Sequence, residues 1–383
     1  MGERGSTEGT AAVVAAFRGA LGRDPEGVFS APGRVNLIGE HTDHNEGHVL
    51  PFAIDRRTHV AAARRADRGV TVRSSQFDEP PVTTTVADLA HATGWSAYAL
   101  GTVWALGETG VASSGWDLVV HGEVPLGAGL SSSAALESAV ALAVAELSGS
   151  TIDRTELARA GRRAENDVVG APVGIMDQAA SLLCREGAAL LLDCRSMTTQ
   201  DVDLPLDDAG LAVLVADTGV SHDLADGGYA DRHAACVAAA AALGVPALRD
   251  ATPDMLGRLD GELLRRARHV VTEQQRVRRV VTALRDGDPA AVGPELTASH
   301  ASLRDDFEVS TTELDAAVDA ARGAGALGAR LVGGGFGGSV LALVARDDLA
   351  AVGEAVTARA AREGHRVPTL REVAPSAGAR RDA

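Results

Sequence analysis

The stretch Pro125-Leu-Gly-Ala-Gly-Leu-Ser-Ser-Ser-Ala-Ala-Leu-Glu137 places the strongest constraint on this chain. Gly127 and Gly129 open backbone conformations closed to other residues and let the chain approach a ligand closely. Ser131, Ser132 and Ser133 then lead into an apolar run over 134–147 that reads as a helix buried nearly all round. A glycine turn feeding a helix start aims unpaired N–H groups and the positive end of the helix dipole at one point. Such a point is an anion site, most usefully a phosphate site. The alternative is a serine-capped core helix after a tight turn. The chain has no Lys, so all 36 of its basic residues are Arg. Phosphate chemistry here must therefore rest on backbone amides, Arg, serine hydroxyls and a metal.

A length of 383 residues is enough for two domains, each with its own core. The formal charge of −16 argues against nucleic acid or anionic membrane as a partner, because both need a basic face. A nucleotide needs only a local positive patch. No apolar run reaches membrane-spanning length. Val13, Val14, Phe17 and Leu21 fall at helical spacing with Arg18 among them, the pattern of an amphipathic surface helix and not of an export signal. Cys184, Cys194 and Cys236 form neither a metal-spaced cluster nor an even disulfide set, which points to free thiols in a reducing cytoplasm.

In chain order, a polar and mobile head is expected over 1–10, then a helix. A short strand at 29–33 ends in a turn. It is followed by Arg34-Val-Asn-Leu-Ile-Gly-Glu-His-Thr-Asp-His-Asn-Glu-Gly47, whose polar side chains break any alternation. A solvated loop explains those charges but not Leu37 and Ile38 between them. Strands are expected at 48–54, 58–63, 70–74 and 116–121, with a helix at 95–108. Asp153 and Glu156 form a capping box, and Ile152 with Leu157 a hydrophobic staple, so a helix starts there. Glu165 lies at the edge of its inward stripe, where a carboxylate needs a partner. Gly170-Ala-Pro172 stops that helix, and Val173-Gly-Ile-Met-Asp-Gln178 opens a short one that sets Asp177 among apolar neighbours.

After a strand at 187–193, the polar, Pro-containing stretch 196–208 marks a boundary between domains 1–200 and 201–383. The second half reads as a strand at 211–216, a helix from Tyr229 to near Gly244, helices at 263–285, 289–304 and 312–323, a glycine-rich turn at 333–338, a strand at 340–344, a helix at 349–361 and a strand at 366–373. The tail 376–383 is expected to be disordered.

Gly33-Arg-Val-Asn-Leu-Ile-Gly-Glu-His-Thr-Asp43, Pro125-Leu-Gly-Ala-Gly-Leu-Ser-Ser-Ser-Ala134 and Gly333-Gly-Gly-Phe-Gly-Gly338 occur in the order seen in the GHMP kinase superfamily. The first of them resembles the galactokinases within it. Gly174-Ile-Met-Asp-Gln178 and Ser299-His-Ala-Ser-Leu-Arg-Asp-Asp-Phe-Glu308 extend the resemblance, which runs from about Phe29 to Val373. Each glycine motif is weak alone; the ordered set is specific. The resemblance implies an α+β fold of two domains, a ribosomal protein S-five-like N-terminal half and a ferredoxin-like C-terminal half. The active site would lie in the cleft between them.

The resemblance also implies the chemistry: transfer of the γ-phosphoryl group of ATP to the anomeric hydroxyl of α-D-galactose with Mg²⁺. The protein itself is expected to be a cytoplasmic monomer. Asp177 would be the general base and Arg34 its cationic neighbour. Their bland readings are a helix-capping carboxylate and a surface salt bridge. Ser132 and Glu165 match the magnesium positions, a hydroxyl and a carboxylate of the hard kind that such a cation takes. Glu40, His41, Asp43, Gly174 and Tyr229 match the sugar-binding positions, with Asp43 expected to read the ring hydroxyls that distinguish galactose. Gly127, Ala128, Gly129, Leu130, Ser131, Ser132, Ser133 and Ala134 would hold the phosphates of ATP. Trp95 would stack on the purine, or else be a plain core tryptophan. The Gly333–Gly338 turn would shape the cleft wall, or be a simple hairpin.

Three positions depart from the pattern: His44 stands where the signature has Tyr, Val173 where Cys is common, and Ser221 where Arg is frequent. None touches the base, its cation or the metal ligands, so they bear on affinity and sugar range. Other sugar 1-kinases, acting on N-acetylgalactosamine or a uronic acid, and a non-catalytic sensor of galactose and ATP are the competing readings. An intact serine loop and Asp177 argue against the sensor.

Overall fold

The computed structural model describes residues 2–111, 114–220 and 228–383. The N-terminal strands are β1 (Gly27–Asn36), β2 (His48–Val49), β3 (Pro51–Arg65), β4 (Gly69–Ser74), β5 (Val82–Thr85), β6 (Gly115–Gly122), β7 (Ala188–Asp193) and β8 (Thr199–Asp203). The helices of this half are α1 (Gly2–Leu21), α2 (Ser96–Glu108), α3 (Ser132–Leu147), α4 (Arg154–Ala164) and α5 (Met176–Leu183). The remainder holds β9 (Leu211–Asp217), α6 (Gly228–Leu243), α7 (Gly261–Arg285), α8 (Val292–Asp305), α9 (Thr312–Gly323), β10 (Gly328–Val332), β11 (Ser339–Ala345), α10 (Leu349–Glu363), β12 (Thr369–Val373) and β13 (Arg380–Arg381).

A six-stranded sheet runs in the order β13-β1-β3-β6-β4-β5, antiparallel except where β4 lies parallel to β6. Val13 and Phe17 of α1 cover one face, against Val28, Ala61, Ala63 and Val119. Helices α2 to α5 cover the other with an Ala-, Val- and Leu-rich core. Covered on both sides, β1 carries no alternation and is buried along its whole length. In the second half, a four-stranded antiparallel sheet runs β10-β11-β9-β12. One face packs on α6, α9 and α10 around Phe307, Leu314 and Val352. Its other face supplies Val213, Val215, Leu341 and Leu343 to a core shared with Val35, Leu37, Ile38 and Phe52 of the first half and with Val277 and Val281 of α7. Leu37 and Ile38, which a solvated loop could not explain, are thus the apolar seam between the halves.

Several expectations change, among them the separate strands at 48–54 and 58–63, which form the short β2 and one continuous β3. The mobile head belongs to α1, which begins at Gly2. The strand expected at 29–33 continues to Asn36, with a register shift between Pro32 and Arg34, so Arg34 stands at a bulge in β1. The polar stretch 196–208 contains β8, which pairs with β7. The tail is ordered: Ser30 and Phe29 of β1 pair with Arg380 and Arg381, and the Ser376 N–H donates to the Ala53 carbonyl. Arg57, buried in β3, explains why, since its guanidinium donates to the Ala377 and Gly378 carbonyls at 2.9 and 2.8 Å. The buried Arg gives this polar tail an anchor that composition does not reveal.

Candidate active site

The serine stretch joins β6 to α3. Gly127 and Gly129 take positive φ, and so does Ser131, at 58°. That conformation turns the Ser131 side chain away from the helix: α3 opens with no side-chain cap. Its hydroxyl instead donates to Asp177 Oδ2 at 2.5 Å. The serine-capped core helix is therefore not what forms, and the first amides of α3 are left to an outside partner.

Asp177 sits in the first turn of α5. Its Oδ1 accepts from Arg34 Nε at 2.9 Å and lies 2.8 Å from the second guanidinium nitrogen. Arg34 also donates to the Gly129 carbonyl at 2.6 Å. The bulge in β1 brings this about, with the Arg34 N–H bonded to the Leu130 carbonyl at 3.1 Å. Gly33 is required beside it, because a Cβ there would lie 2.5 Å from that same carbonyl. The Arg34 side chain is 5% exposed and Asp177 30%, so the cation is locked while the carboxylate stays open to a ligand.

Behind Asp177, the Gln178 amide donates to both Glu165 and Glu137 at 2.9 Å. Glu165 enters from the single π-helical turn, Glu165–Val169, that ends α4. Burial, reinforced by the Asp177 charge, pushes Glu165 up to about 7. Burial, with Glu165 adding to it, raises Glu137 well above the carboxylate range. Ser132 opens α3 within the same loop. A crowd of acids with Arg34 beside it fits a hard cation, which would offset the carboxylate charge. Among the described residues, no group of His, Cys, Asp and Glu is arranged to ligate a metal by itself. A cation here would need a hydroxyl and phosphate oxygens as well as Glu165.

The polar segment that follows β1 folds under α7. The Gly39 N–H donates to Glu273, the His48 N–H to Gln274, and His269 lies 3.1 Å from the Glu40 carbonyl. Glu40 itself accepts from Arg330 at 2.6 Å and from the Gly333 N–H at 2.7 Å. Burial raises its pKa against the pull of Arg330. One Glu40 oxygen thus ties the sugar motif to the glycine-rich turn. Ser339 completes the closure with a 2.6 Å bond to the Ala128 carbonyl of the serine loop.

His41 stacks at 4.4 Å on Phe307, the aromatic of the 299–308 motif. Asp43 lies in a turn of 3₁₀ helix, Asp43–Asn45, beside His44 and against Gly174. A Cβ on Gly174 would fall 1.8 Å from Asp43 Oδ2, so only glycine fits. Burial raises Asp43, but the His44 imidazole outweighs it and holds the carboxyl at about 2. Tyr229 closes the group, its hydroxyl 3.1 Å from His44 Nδ1. The amide of Asn36, His41 Nε2 and His44 Nε2 are buried without hydrogen-bond partners. Buried polar atoms left open in this way mark a place where a polar ligand belongs.

Trp95 stands just ahead of α2, half-buried on the core and edge-on to Phe77 at 6.2 Å. The Val173 N–H is taken by Asn166 at 2.9 Å. Ser221 lies outside the described residues. The sequence patterns give no role to Arg330, Glu273 or Gln178. The available signal was a carboxylate, Glu273, within the apolar Val270–Val277 face of α7.

Residues 97–185 match the model of the GHMP kinase N-terminal domain, and residues 280–362 that of the C-terminal domain. A mevalonate kinase from Methanococcus jannaschii, 16% identical, shares the fold with a TM-score of 0.66 over 91% of this chain and 98% of that one. Fold and site together define a kinase of the GHMP type. Residues 15–64 match the galactokinase galactose-binding signature. The chain is 49% identical over 375 residues to a galactokinase of Streptomyces coelicolor, covering 95% of this chain and 96% of that one. It is 44% identical over 358 residues to one of Mycobacterium tuberculosis, covering 92% and 98%. The crystal structure of Lactococcus lactis galactokinase complexed with galactose is 32% identical, with a TM-score of 0.90 over 97% of this chain and 99% of that one. The chain belongs to the galactokinase family.

Proposed function

We propose that this protein uses ATP to phosphorylate the anomeric hydroxyl of α-D-galactose, giving galactose 1-phosphate and ADP. The observation that carries the residue roles is the half-open Asp177 carboxylate, held between Arg34 and Ser131 at the edge of the helix α3 amides. As the sugar oxygen bonds to the γ-phosphorus and the bond to ADP breaks, Asp177 takes the hydroxyl proton. Arg34, bonded to that carboxylate, orients it and offsets charge on the transferring group. The transition state is loose, so positioning and neutralisation account for most of the rate.

The amides following Ser131 hold the phosphates, and Trp95 stacks on the purine. Glu40, His41, Asp43, Gly174 and Tyr229 surround the sugar. Ser132 and Glu165 would hold Mg²⁺, which supplies charge neutralisation at the phosphates when bound. The raised Glu165 pKa and its packing against Gln178 and Asp177 support that place. We place the division between the domains near residue 200. We read the protein as a cytoplasmic monomer; no helix among the described residues is long and apolar enough to cross a membrane.

The test is an ADP-release assay on the purified chain with galactose, glucose, N-acetylgalactosamine and galacturonate. Galactose should give the highest kcat/KM by a wide margin, with phosphate on C1 by NMR. A preference for N-acetylgalactosamine or galacturonate overturns the substrate, and ATP binding without turnover of any sugar overturns the reaction.

A further inference from the structure

We infer that Arg232 is a positioning residue for the sugar group: it docks the first turn of α6 on the loop 306–309 and so holds Tyr229 beside His41 and His44. This inference rests on the galactose reading of that group. No sequence motif includes Arg232.

Arg232 follows Tyr229 by three residues and is its neighbour on the surface of α6. Its Nε donates to the Phe307 carbonyl at 2.7 Å, and a second guanidinium nitrogen donates to the Glu308 carbonyl at 3.0 Å. The same guanidinium lies over the Phe336 ring of the glycine-rich turn, 5.6 Å from its centre. Phe336 also supports the start of α6, since a Cβ on Gly228 would lie 2.8 Å from its ring. Gly228 and Arg232, on either side of Tyr229, therefore rest on one platform.

That platform is fixed independently of Arg232. The buried Arg266 of α7 donates to the Asp306 carbonyl at 2.6 Å and to the Glu308 carboxylate at 2.7 Å. The Phe336 N–H donates to the Val309 carbonyl at 2.7 Å. Glu308 takes a φ of 57°, a conformation that a residue with a side chain keeps only when its surroundings hold it. The loop presents Phe307 to His41 at 4.4 Å and to His269 at 4.7 Å. Tyr229 meets the same His41 from α6, with ring centres 5.6 Å apart, and its hydroxyl reaches His44. Arg232 thus ties together the two elements that flank His41. With Met in its place, Arg266 and Val309 still hold Phe307, and the part released is the start of α6 with Tyr229. The Arg232 bonds go neither to Asp177 nor to the serine loop, so sugar binding should weaken while ATP binding and transfer continue. Lys keeps the charge over Phe336 but lacks the planar fork that spans two successive carbonyls.

The experiment measures kcat and the KM of galactose and of ATP for wild type, Arg232→Met, Arg232→Lys, Tyr229→Ala and the double variant Arg232→Met with Tyr229→Ala. Arg232→Met should raise the galactose KM roughly tenfold, with the ATP KM and kcat within about threefold of wild type. Arg232→Lys should shift the same constant in the same direction by less, and it carries the test if Arg232→Met does not fold. In the Tyr229→Ala background, Arg232→Met should lower galactose kcat/KM by no more than about twofold further, because the residue it acts through is gone. The chain has two tyrosines, Tyr98 and Tyr229, so fluorotyrosine NMR gives one signal for each; the Arg232 variants should move that of Tyr229 and leave that of Tyr98. A folded variant with unchanged galactose KM, equal rises in both KM values, losses that multiply in the double variant, or an unmoved Tyr229 signal overturns the inference. Failure of both Arg232 variants to fold overturns it too, since the contact would then hold the fold and not the sugar group. Wild type that fails to phosphorylate galactose at all would instead overturn the underlying activity.

Discussion

Ser131 points its hydroxyl at Asp177 instead of capping the helix it begins, with the oxygens 2.5 Å apart. A capping serine typically contributes about 1 kcal/mol to a helix, and this one forgoes that in favour of the carboxylate. The exchange leaves the α3 amides available and aims the acid. It makes the serine loop and Asp177 one unit, with Arg34 as the third side through its bonds to Gly129 and Asp177.

If Asp177 takes the proton, Asp177→Asn should lower kcat by roughly 10²- to 10⁴-fold. The amide keeps the size and one acceptor for Arg34 and Ser131, so galactose and ATP should bind within a few-fold of wild type. Rapid-quench single turnover beside calorimetric titration separates the two quantities. A variant retaining most of its turnover removes Asp177 from the role of base.

The contact between Gly174 and Asp43 provides a test of sugar reading that leaves every polar group in place. Gly174 does not take a positive φ, so the restriction there is steric. Gly174→Ala should displace Asp43 and raise the galactose KM by roughly tenfold or more, with kcat affected less. Asp43→Ala should go further and narrow the preference for galactose over glucose, as loss of a matched acceptor does. Steady-state kinetics with both sugars checks this; an Asp43→Ala enzyme with undiminished discrimination shows that another group reads the epimeric hydroxyl.

Parts of this were legible in the sequence and parts were not, for local reasons. The Asp153 cap was readable because its partner is three residues away, and the side chain does accept from the Glu156 N–H at 2.9 Å. The chain positions of the serine loop, Asp177 and the sugar motif were readable because each is a contiguous pattern. Arg34 on a strand was not, since the bulge that turns it toward Asp177 depends on a contact with Leu130 almost a hundred residues on. Strand β10 is not legible because Arg330 interrupts its apolar run, and its partner Glu40 is 290 residues away. The ordered tail depends on Arg57 in the same nonlocal way.

That Arg330 to Glu40 pair should be expensive to break. Both side chains are essentially unexposed, and Glu273 lies 3.9 Å from the same guanidinium. Arg330→Met would leave Glu40 without its cation, and removing one partner of a buried pair costs about 3–5 kcal/mol. Because Glu40 also bonds to Gly333, the loss should loosen the glycine-rich turn and lower both Tm and kcat/KM. Pairing it with Glu40→Gln should recover part of the Tm, since the uncompensated charge is then gone. Melting curves of the two single variants and the double variant form the required cycle. A single Arg330→Met protein as stable as wild type shows that the pair is not holding the halves.

The C-terminal strand gives a prediction with a pH sign. His59, buried in β3, lies 3.5 Å from Asp382 and 3.6 Å from Glu123, while Thr10 of α1 reaches the same imidazole. Burial lowers the His59 pKa, but Asp382 and Glu123 outweigh it and hold it above the ordinary 6.5. Burial raises Asp382, but His59 and Arg380 outweigh it and bring it to about 2 from 3.8. For His59 the folded value is the higher one, so its stabilisation is complete below 6.5 and disappears as pH rises through the folded value. For Asp382 the folded value is the lower one, so its contribution is complete above 3.8 and disappears as pH falls toward 2. The latch is therefore tightest in the window between those limits. Asp382→Asn should lower Tm most near pH 5 to 6, with the gap to wild type narrowing above neutrality as His59 loses its proton. Scanning calorimetry at a series of pH values reads this directly. A Tm gap that widens from pH 6 to 9 means that His59 is not the partner through which Asp382 secures the tail.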